Sequence, residues 1–336
     1  MNQNDVSTTS NQGEKKPYYT QKKPWLITRF GEAFLDALVF ALLAYLLFYI
    51  GQLTLYEPFG HNEAERQVFS TLRESHLYAE RENGFLIERN TEEGYNKALT
   101  PEQNYETNVL YYYTNIDYAI SKNRIPDYFA LKDASGYFVK IQEGTYDLPK
   151  GSTPEQIESW VNAHYKRADV PEAAIKTWCE NRYLDAVYIV EHSVIYTANI
   201  NRIAFVDYFI LLIAEVVAWG VYYVLLPLVL PKKKTLFKLV FRMAVVDKET
   251  DGTPKNWQML IRALVLLIFC VVAPTTWYFF NGLGLGYLAL IFPGIEIIVM
   301  GVTRANTSVH DIASGTYVIS TQKKPSDILE EERKAK

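Results

Sequence analysis

The chain has 336 residues, of which 49% are hydrophobic and 21% are charged, and its formal net charge at pH 7 is −4. Taken alone, these averages suit one or two soluble domains, and no dense patch of Lys and Arg with aromatic residues indicates nucleic-acid binding. Polar and apolar residues are nevertheless strongly segregated. Four stretches are almost free of charge: 33–55, 204–230, 259–280 and 283–302.

Each of these stretches is long enough to cross a bilayer, because a hydrocarbon core of about 30 Å needs roughly 20 helical residues. A helix of a globular protein typically shows one apolar stripe instead of being apolar all round. We therefore predict an all-α membrane protein with four transmembrane helices and a mixed, mainly helical extracytoplasmic domain between the first two. The predicted segments are a cytoplasmic tail 1–28, transmembrane helix 29–55, extracytoplasmic domain 56–203, transmembrane helix 204–230, basic cytoplasmic loop 231–258, transmembrane helices 259–280 and 283–302, and a cytoplasmic tail 303–336.

The basic residues near the predicted spans indicate the orientation, because Lys and Arg stay on the cytoplasmic side of a membrane. They cluster before the first span, in 231–258 and after the last span, whereas the turn 281–284 carries no charge. Both termini are therefore predicted to be cytoplasmic. Segment 56–203 falls outside, and its 23 Asp and Glu against 15 Lys and Arg give it a net charge of −8.

Local signals predict elements in this outer segment. Thr100-Pro101 and Thr153-Pro154 are typical helix starts, with a capping Thr followed by Pro at the first helical position. A strand is predicted near 84–87, and a short hairpin at 136–141 with the nearby Gly144. From Pro171 onward, apolar residues at helical spacing predict a helix that continues toward the second span.

The outer segment contains no catalytic or cofactor motif. Its four histidines, His61, His76, His164 and His192, are not at the spacing of metal ligands, and no nucleophile elbow or phosphate-binding loop occurs. We therefore expect no enzyme activity, catalytic residue, metal or cofactor. The run 111–113 of three tyrosines indicates either a platform for carbohydrate or peptide or, more simply, packing of a small domain.

Ionisable residues in the predicted spans need a partner or a purpose, because a charge inside the bilayer is costly. Arg29, Glu32 and Asp36 are 3 and 4 residues apart and share one face of the first helix. They form either an intrahelical ion-pair network or part of a site that faces another helix. Glu215 and Glu296 are predicted near the middle of the second and fourth spans, as protonated structural groups or as a cation or proton relay.

Three motifs together carry a family resemblance. They are Arg29-x-x-x-Ala33-x-x-Asp36, the basic segment from Thr235 to Val245-Val246-Asp247 with Asp251-Gly252, and His310-Asp311-Ile312-Ala313-Ser314-Gly315. In these motifs the chain resembles the RDD family of bacterial inner-membrane proteins, named for one Arg and two Asp. The resemblance implies that Arg29, Asp36 and Asp311 are the signature residues. The chain departs from the family pattern at Phe237, where Gly is usual, and in the length of segment 56–203.

The alternatives for Asp311 are a pair with Arg29 at the cytoplasmic mouth or a simple helix cap. The resemblance implies a multi-pass protein of the bacterial plasma membrane, with cation/proton antiport proposed for some members and accessory roles in membrane complexes for others. We predict a non-enzymatic protein that anchors an extracytoplasmic partner-binding domain or serves as an accessory subunit. Its partners would be the lipid bilayer and a membrane or extracytoplasmic protein. The alternative is an ion or proton-coupled transporter acting through Glu215 and Glu296, which would need a homo-oligomer.

Overall fold

The computed structural model of the protein describes residues 24–81, 84–89, 91, 101–114, 120, 125–142, 154–268, 271, 288–303 and 306–321. These residues are mostly helical. The helices are α1 (Leu26–Leu55), α2 (His61–Glu74), α3 (Pro101–Thr114), α4 (Ile125–Ser135), α5 (Pro154–His164), α6 (Glu172–Glu191), α7 (Val194–Trp219), α8 (Leu226–Val229), α9 (Leu236–Val240), α10 (Asn256–Leu267), α11 (Leu288–Val302) and α12 (Val309–Ala313). The strands are β1 (Tyr78–Glu80), β2 (Leu86–Glu88), β3 (Phe138–Lys140), β4 (Tyr165–Arg167), β5 (Met243–Asp247) and β6 (Thr316–Ser320).

The chain divides into two compact units. Met1–Thr54 and Tyr208–Lys336 form one, which we name the terminal unit, and Leu55–Asp207 forms the other, which we name the inserted unit. The strands pair as three antiparallel ladders, β1 with β2, β3 with β4, and β5 with β6.

Two helical runs in the described residues are long and apolar enough to cross a membrane. They are Leu26–Leu55, with 30 residues and a mean hydropathy of 2.3, and Val194–Val229, with 36 residues and a mean hydropathy of 2.2. The second run passes from α7 through a π-helical stretch, Gly220–Leu225, into α8. Most of their apolar side chains are exposed, as expected of helices that face lipid. These runs support a membrane protein, and they overlap the predicted spans 29–55 and 204–230.

The other two predicted spans are described only in part. Helix α10 covers the first residues of 259–280, and α11 covers the later residues of 283–302. The turn at 281–284 lies outside the described residues. A count of four transmembrane helices therefore stays a prediction.

The inserted unit is built around buried aromatic side chains. Its core lies among helices α3 to α6 and includes Tyr105, Tyr112, Tyr128, Phe129 and Tyr183. The rings pack edge-on or stacked at centroid distances of 5 to 6 Å, which suits their quadrupoles. Two residues of the tyrosine run, 112 and 113, are thus core residues, in agreement with the packing interpretation.

The predicted helix starts at Pro101 and Pro154 are confirmed, as is a strand close to 84–87. The strand expected within 136–141 is present as β3, but among the described residues it pairs with β4 and not in a local hairpin, with Phe138 opposite Arg167; Gly144 lies outside the described residues. Sequence patterns favour the nearest partner, whereas the ladder follows the side chains of Phe138 and Tyr165, which both enter the core.

The helix predicted from Pro171 toward the second span is interrupted at His192-Ser193. The Ser193 hydroxyl donates to the Val190 carbonyl at 2.7 Å and accepts from the Tyr196 amide at 3.3 Å. A serine side chain that bonds to the backbone in this way ends one helix and begins the next. It therefore separates α6 from α7.

In the terminal unit, α1 buries one stripe of residues, and this stripe changes character along the helix. It begins with the charged residues Arg29, Glu32 and Asp36 and continues with Phe40 and Ala44. The apolar end packs against residues of α7, the π-helical stretch and α10, namely Ala218, Tyr222, Tyr223 and Ala263. The charged end is therefore held against the same neighbouring elements, away from solvent.

Candidate functional site

The charged end of α1 belongs to a buried network in the terminal unit. Arg29, Glu32 and Asp36 are only 2%, 2% and 3% exposed. Arg29 Nη1 donates to Glu32 Oε2 at 2.9 Å, one turn along the helix. Because charges without water need partners with good geometry, their remaining contacts determine what the network can do.

Asp311 is fully buried and joins two arginines from different helices. Arg29 Nη2 donates to Asp311 Oδ2 at 2.8 Å, and Arg262 Nη1 of α10 donates to Asp311 Oδ1. Ser308, the N-cap of α12, donates its hydroxyl to Asp311 Oδ2 at 2.7 Å. Arg29 and Asp311 thus lie together, and Asp311 also takes part in a capping box with Ser308. Asp311 therefore both pairs with Arg29 and takes part in the cap of α12.

Asp36 lies in the other half of the network and has a different cation. Thr235 Oγ1 and Tyr222 OH each donate to its carboxylate at 2.5 Å, and Lys238 Nζ lies 3.5 Å from Oδ2. Lys238 also donates to Glu32 Oε1 at 2.5 Å. The link from Arg29 to Asp36 therefore runs through Glu32 and Lys238, not through a direct ion pair.

Phe237 lies where the family usually has Gly, and its contact with Asp36 is made by its backbone. The Phe237 amide donates to Asp36 Oδ1 at 3.4 Å. A backbone N–H is available from any residue except proline, so the contact does not depend on the side chain. Phe237 can therefore replace Gly without loss of this hydrogen bond.

Glu296 enters the network through His310. His310 Nδ1 lies 2.9 Å from Glu296 Oε1, and the Val309 amide donates to Glu296 Oε2 at 2.8 Å. On the other side of the ring, Arg262 Nη2 lies 3.0 Å from His310 Nε2. A guanidinium can only donate, so Nε2 accepts and Nδ1 carries the proton that is donated to Glu296.

The two glutamates of the predicted spans both lie well inside their helices. Glu296 is eight residues after the start of α11 at Leu288 and six residues before its end at Val302, about 9 Å from that end and near the middle of the described helix. Glu215 is half-buried on α7, about 21 Å from the end of the helical run at Val229. None of the contacts described above joins Glu215 to the network.

Several members of the network were not predicted as site residues, namely Tyr222, Thr235, Lys238, Arg262 and His310. The basic segment that contains Lys238 has the pattern of a surface helix, yet the Lys238 side chain is only 6% exposed. The sequence did indicate Arg262, because it is the one charged residue in the predicted span 259–280 and a charge in a span needs a partner. In the described ranges, no group of three or more His, Cys, Asp or Glu is placed to hold a metal ion.

A double-mutant cycle tests the arrangement of charges. We expect Arg29→Met to lower the free energy of unfolding by about 3–5 kcal/mol, because it leaves buried carboxylates unpaired. Coupling of Arg29→Met with Asp311→Asn should be about 1–3 kcal/mol, and coupling with Asp36→Asn should be smaller, because the first pair is in contact and the second is not. Unfolding of the purified protein in detergent measures both values.

The control for this cycle is Lys248→Met, which removes an exposed cation just after β5 and should change stability by less than about 0.5 kcal/mol. Equal coupling of Arg29 to Asp36 and to Asp311 would contradict the contacts described here.

His310 should make stability depend on pH. Burial, followed by the nearby Arg262 guanidinium, lowers the pKa of His310 from 6.5 to about 4. Between these values the unfolded chain binds a proton at this histidine and the folded protein does not, so the folded state loses stability as pH falls from about 6.5 to 4. His310→Gln should make the loss of stability in this window less steep.

The matched control is His192→Gln, which changes an exposed histidine and should keep the wild-type slope. Unfolding at pH 7, 5.5 and 4.5 gives the slopes. If His310→Gln has the same slope as the wild-type protein, His310 is not held neutral by its surroundings.

Comparison with known proteins agrees with the motifs. Residues 182–315 match the model of the RDD family, a range that includes α7, α10, α11 and Asp311. No curated protein and no solved structure matches the chain. Residues 182–315 are therefore similar to the RDD family, and this range contains Asp311, in agreement with the motifs.

Proposed function

We propose that this RDD family protein is a non-enzymatic membrane protein whose terminal unit anchors the inserted unit. The inserted unit would lie outside a bacterial plasma membrane and bind a membrane or extracytoplasmic protein, so that the chain acts as an accessory subunit. The family match and the two apolar helical runs support the anchoring role. The separate aromatic core of the inserted unit supports a domain with its own binding role.

The observation that carries the proposal is the density of contacts around the signature residues. Asp311 is bound by two arginines, and Asp36 is bound by a hydroxyl on each side and by Lys238. Removing one partner from a buried pair costs about 3–5 kcal/mol. If transport required these contacts to break in every cycle, each cycle would include that free-energy cost. The network is better suited to fixing helices than to moving ions.

A specific observation nevertheless favours a second candidate, a cation or proton relay. The network holds three cations and four carboxylates, namely Arg29, Lys238, Arg262, Glu32, Asp36, Glu296 and Asp311. With His310 neutral and every carboxylate ionised, its charge is 3 − 4 = −1. One proton or cation bound at Glu296 and His310 would balance this charge.

The orientation of the proposal is testable by labelling. Cys179 cannot serve as the reporter, because it is 1% exposed and burial raises the pKa of its thiol to about 12. In a background without Cys179 and Cys270, we expect an impermeant maleimide to label Asn181→Cys in intact cells, since Asn181 is exposed on α6. The matched Glu249→Cys, exposed after β5, should react only after the cells are permeabilised. The opposite pattern would place the inserted unit in the cytoplasm and refute the proposal.

Ion flux separates the anchor from the relay. We expect proteoliposomes of purified protein to show no sodium-driven proton movement above protein-free vesicles, because the buried ion pairs stay closed. If the wild-type protein does move protons and Glu296→Gln abolishes the movement, the relay is correct and the anchor is wrong. Glu215→Gln is the matched control, since Glu215 makes none of the network contacts described above and the relay at Glu296 should tolerate its change.

A further inference from the structure

The inserted unit contains a cavity of about 320 Å³ between α3, α4, α5, β3 and β4. This volume is at the lower end of the range of small-molecule sites. The walls combine the apolar side chains of Leu110, Phe138 and Val161 with four charged residues, which are Glu106, Lys132, Lys166 and Arg167. Phe138 and Val161 also belong to the aromatic core, so the cavity lies against a packed scaffold.

Lys132 places a buried ammonium group at this cavity. Its side chain is 1% exposed, and its Nζ lies 4.1 Å from the centre of the Phe138 ring. Among the described residues, its nearest carboxylate oxygen is Glu106 Oε1, at the long ion-pair distance of 3.6 Å. Because an ammonium group has three donors, Lys132 can still bind an acceptor from outside the protein.

Tyr128 is a second buried group of this kind. The residue is 0% exposed and also lines the cavity, and its hydroxyl has no hydrogen-bond partner among the described residues. A buried hydroxyl without a partner costs about 1–3 kcal/mol, which a phenylalanine here would avoid. The hydroxyl of Tyr128 therefore either destabilises the core or serves to bind a ligand.

The charges of the cavity favour an anion. Its lining contains Lys132, Lys166 and Arg167 against Glu106, a net charge of 3 − 1 = +2. Glu106 already receives a hydrogen bond from Arg167 Nη2 at 2.9 Å, and it lies between Arg167 and Lys132. The cavity thus accommodates one carboxylate and has positive charge left for another.

We propose that this cavity binds a small organic acid, with its carboxylate on Lys132 and Tyr128 and its apolar body against Phe138, Leu110 and Val161. Inorganic phosphate would leave Phe138, Leu110 and Val161 without contact, whereas an organic acid would place its apolar body against them. This inference goes beyond the proposed anchoring function, because it assigns a small-molecule ligand to the inserted unit. Burial lowers the pKa of Lys132, and a bound carboxylate raises it again, so affinity should fall as pH rises.

Calorimetric titration of the purified full-length protein in detergent tests the proposal, with benzoate as the probe. Benzamide has the same shape without the charge, and we expect it to bind at least tenfold more weakly. Lys132→Met should weaken benzoate binding at least tenfold, and Tyr128→Phe about three- to tenfold. The control Lys140→Met changes an exposed lysine of β3 and should leave the affinity unchanged.

Tyr128→Phe keeps the test valid even if Lys132→Met fails to fold. It removes only a hydroxyl for which the described part of the chain offers no partner, so its thermal stability should equal or exceed that of the wild-type protein. Lower benzoate affinity together with undiminished stability supports a ligand contact, and unchanged affinity overturns it.

Other results would also overturn the proposal. These are no benzoate binding, equal binding of benzoate and benzamide, or binding of inorganic phosphate in place of benzoate. None of them depends on the orientation of the chain in a membrane. Failure here would leave the anchoring proposal in place, and a failed labelling experiment would leave the ligand result in place.

Discussion

The burial of the Asp311 carboxylate is the constraint on which the terminal unit depends. An ion removed from water loses several kcal/mol of solvation, so it is tolerated only where partners reach it from several directions. Arg29 approaches from α1 and Arg262 from α10, 282 and 49 residues away in the sequence. Apolar contacts alone would hold these helices together with little preference for one relative position. Two charge-assisted hydrogen bonds to one carboxylate permit far fewer positions.

The same need of a buried carboxylate for donors applies to Asp36, which contacts a side chain of the irregular stretch near the end of the second apolar run. Asp36 needs donors, and Tyr222 supplies one from the π-helical stretch Gly220–Leu225. Such stretches are rare and often occur at functional sites, because they move a side chain out of the regular helical position. On its other side, Asp36 accepts from Thr235, which directly precedes α9. A single carboxylate on α1 thus contacts both the π-helical stretch of the second run and the segment that follows this run.

Sequence patterns predicted the features that depend on neighbouring residues, such as apolar helices, and missed the contacts between residues that are distant in the sequence. The apolar runs around Leu26–Leu55 and Val194–Val229 follow from composition, and the shared face of Arg29, Glu32 and Asp36 follows from helical spacing. Lys238 was missed because a basic segment with apolar residues normally lies at a surface, and only the carboxylates more than 200 positions earlier turn it inward. The partner of β3 was missed for a similar reason, since β4 lies beyond an intervening helix.

One rule, that buried polar groups need partners, has opposite consequences in the two units. In the terminal unit, both oxygens of Asp311 and of Asp36 accept hydrogen bonds from side chains of this chain, so these two carboxylates do not need a ligand. In the inserted unit, the hydroxyl of Tyr128 is buried without a partner among the described residues, and the ammonium of Lys132 has a 3.6 Å ion pair with Glu106; both residues line a cavity. Natural cores seldom retain such groups without use, because an apolar residue of similar size would be more stable. The buried donors of Lys132 and Tyr128, rather than the signature charges, are therefore the better indication of the small-molecule site that we propose.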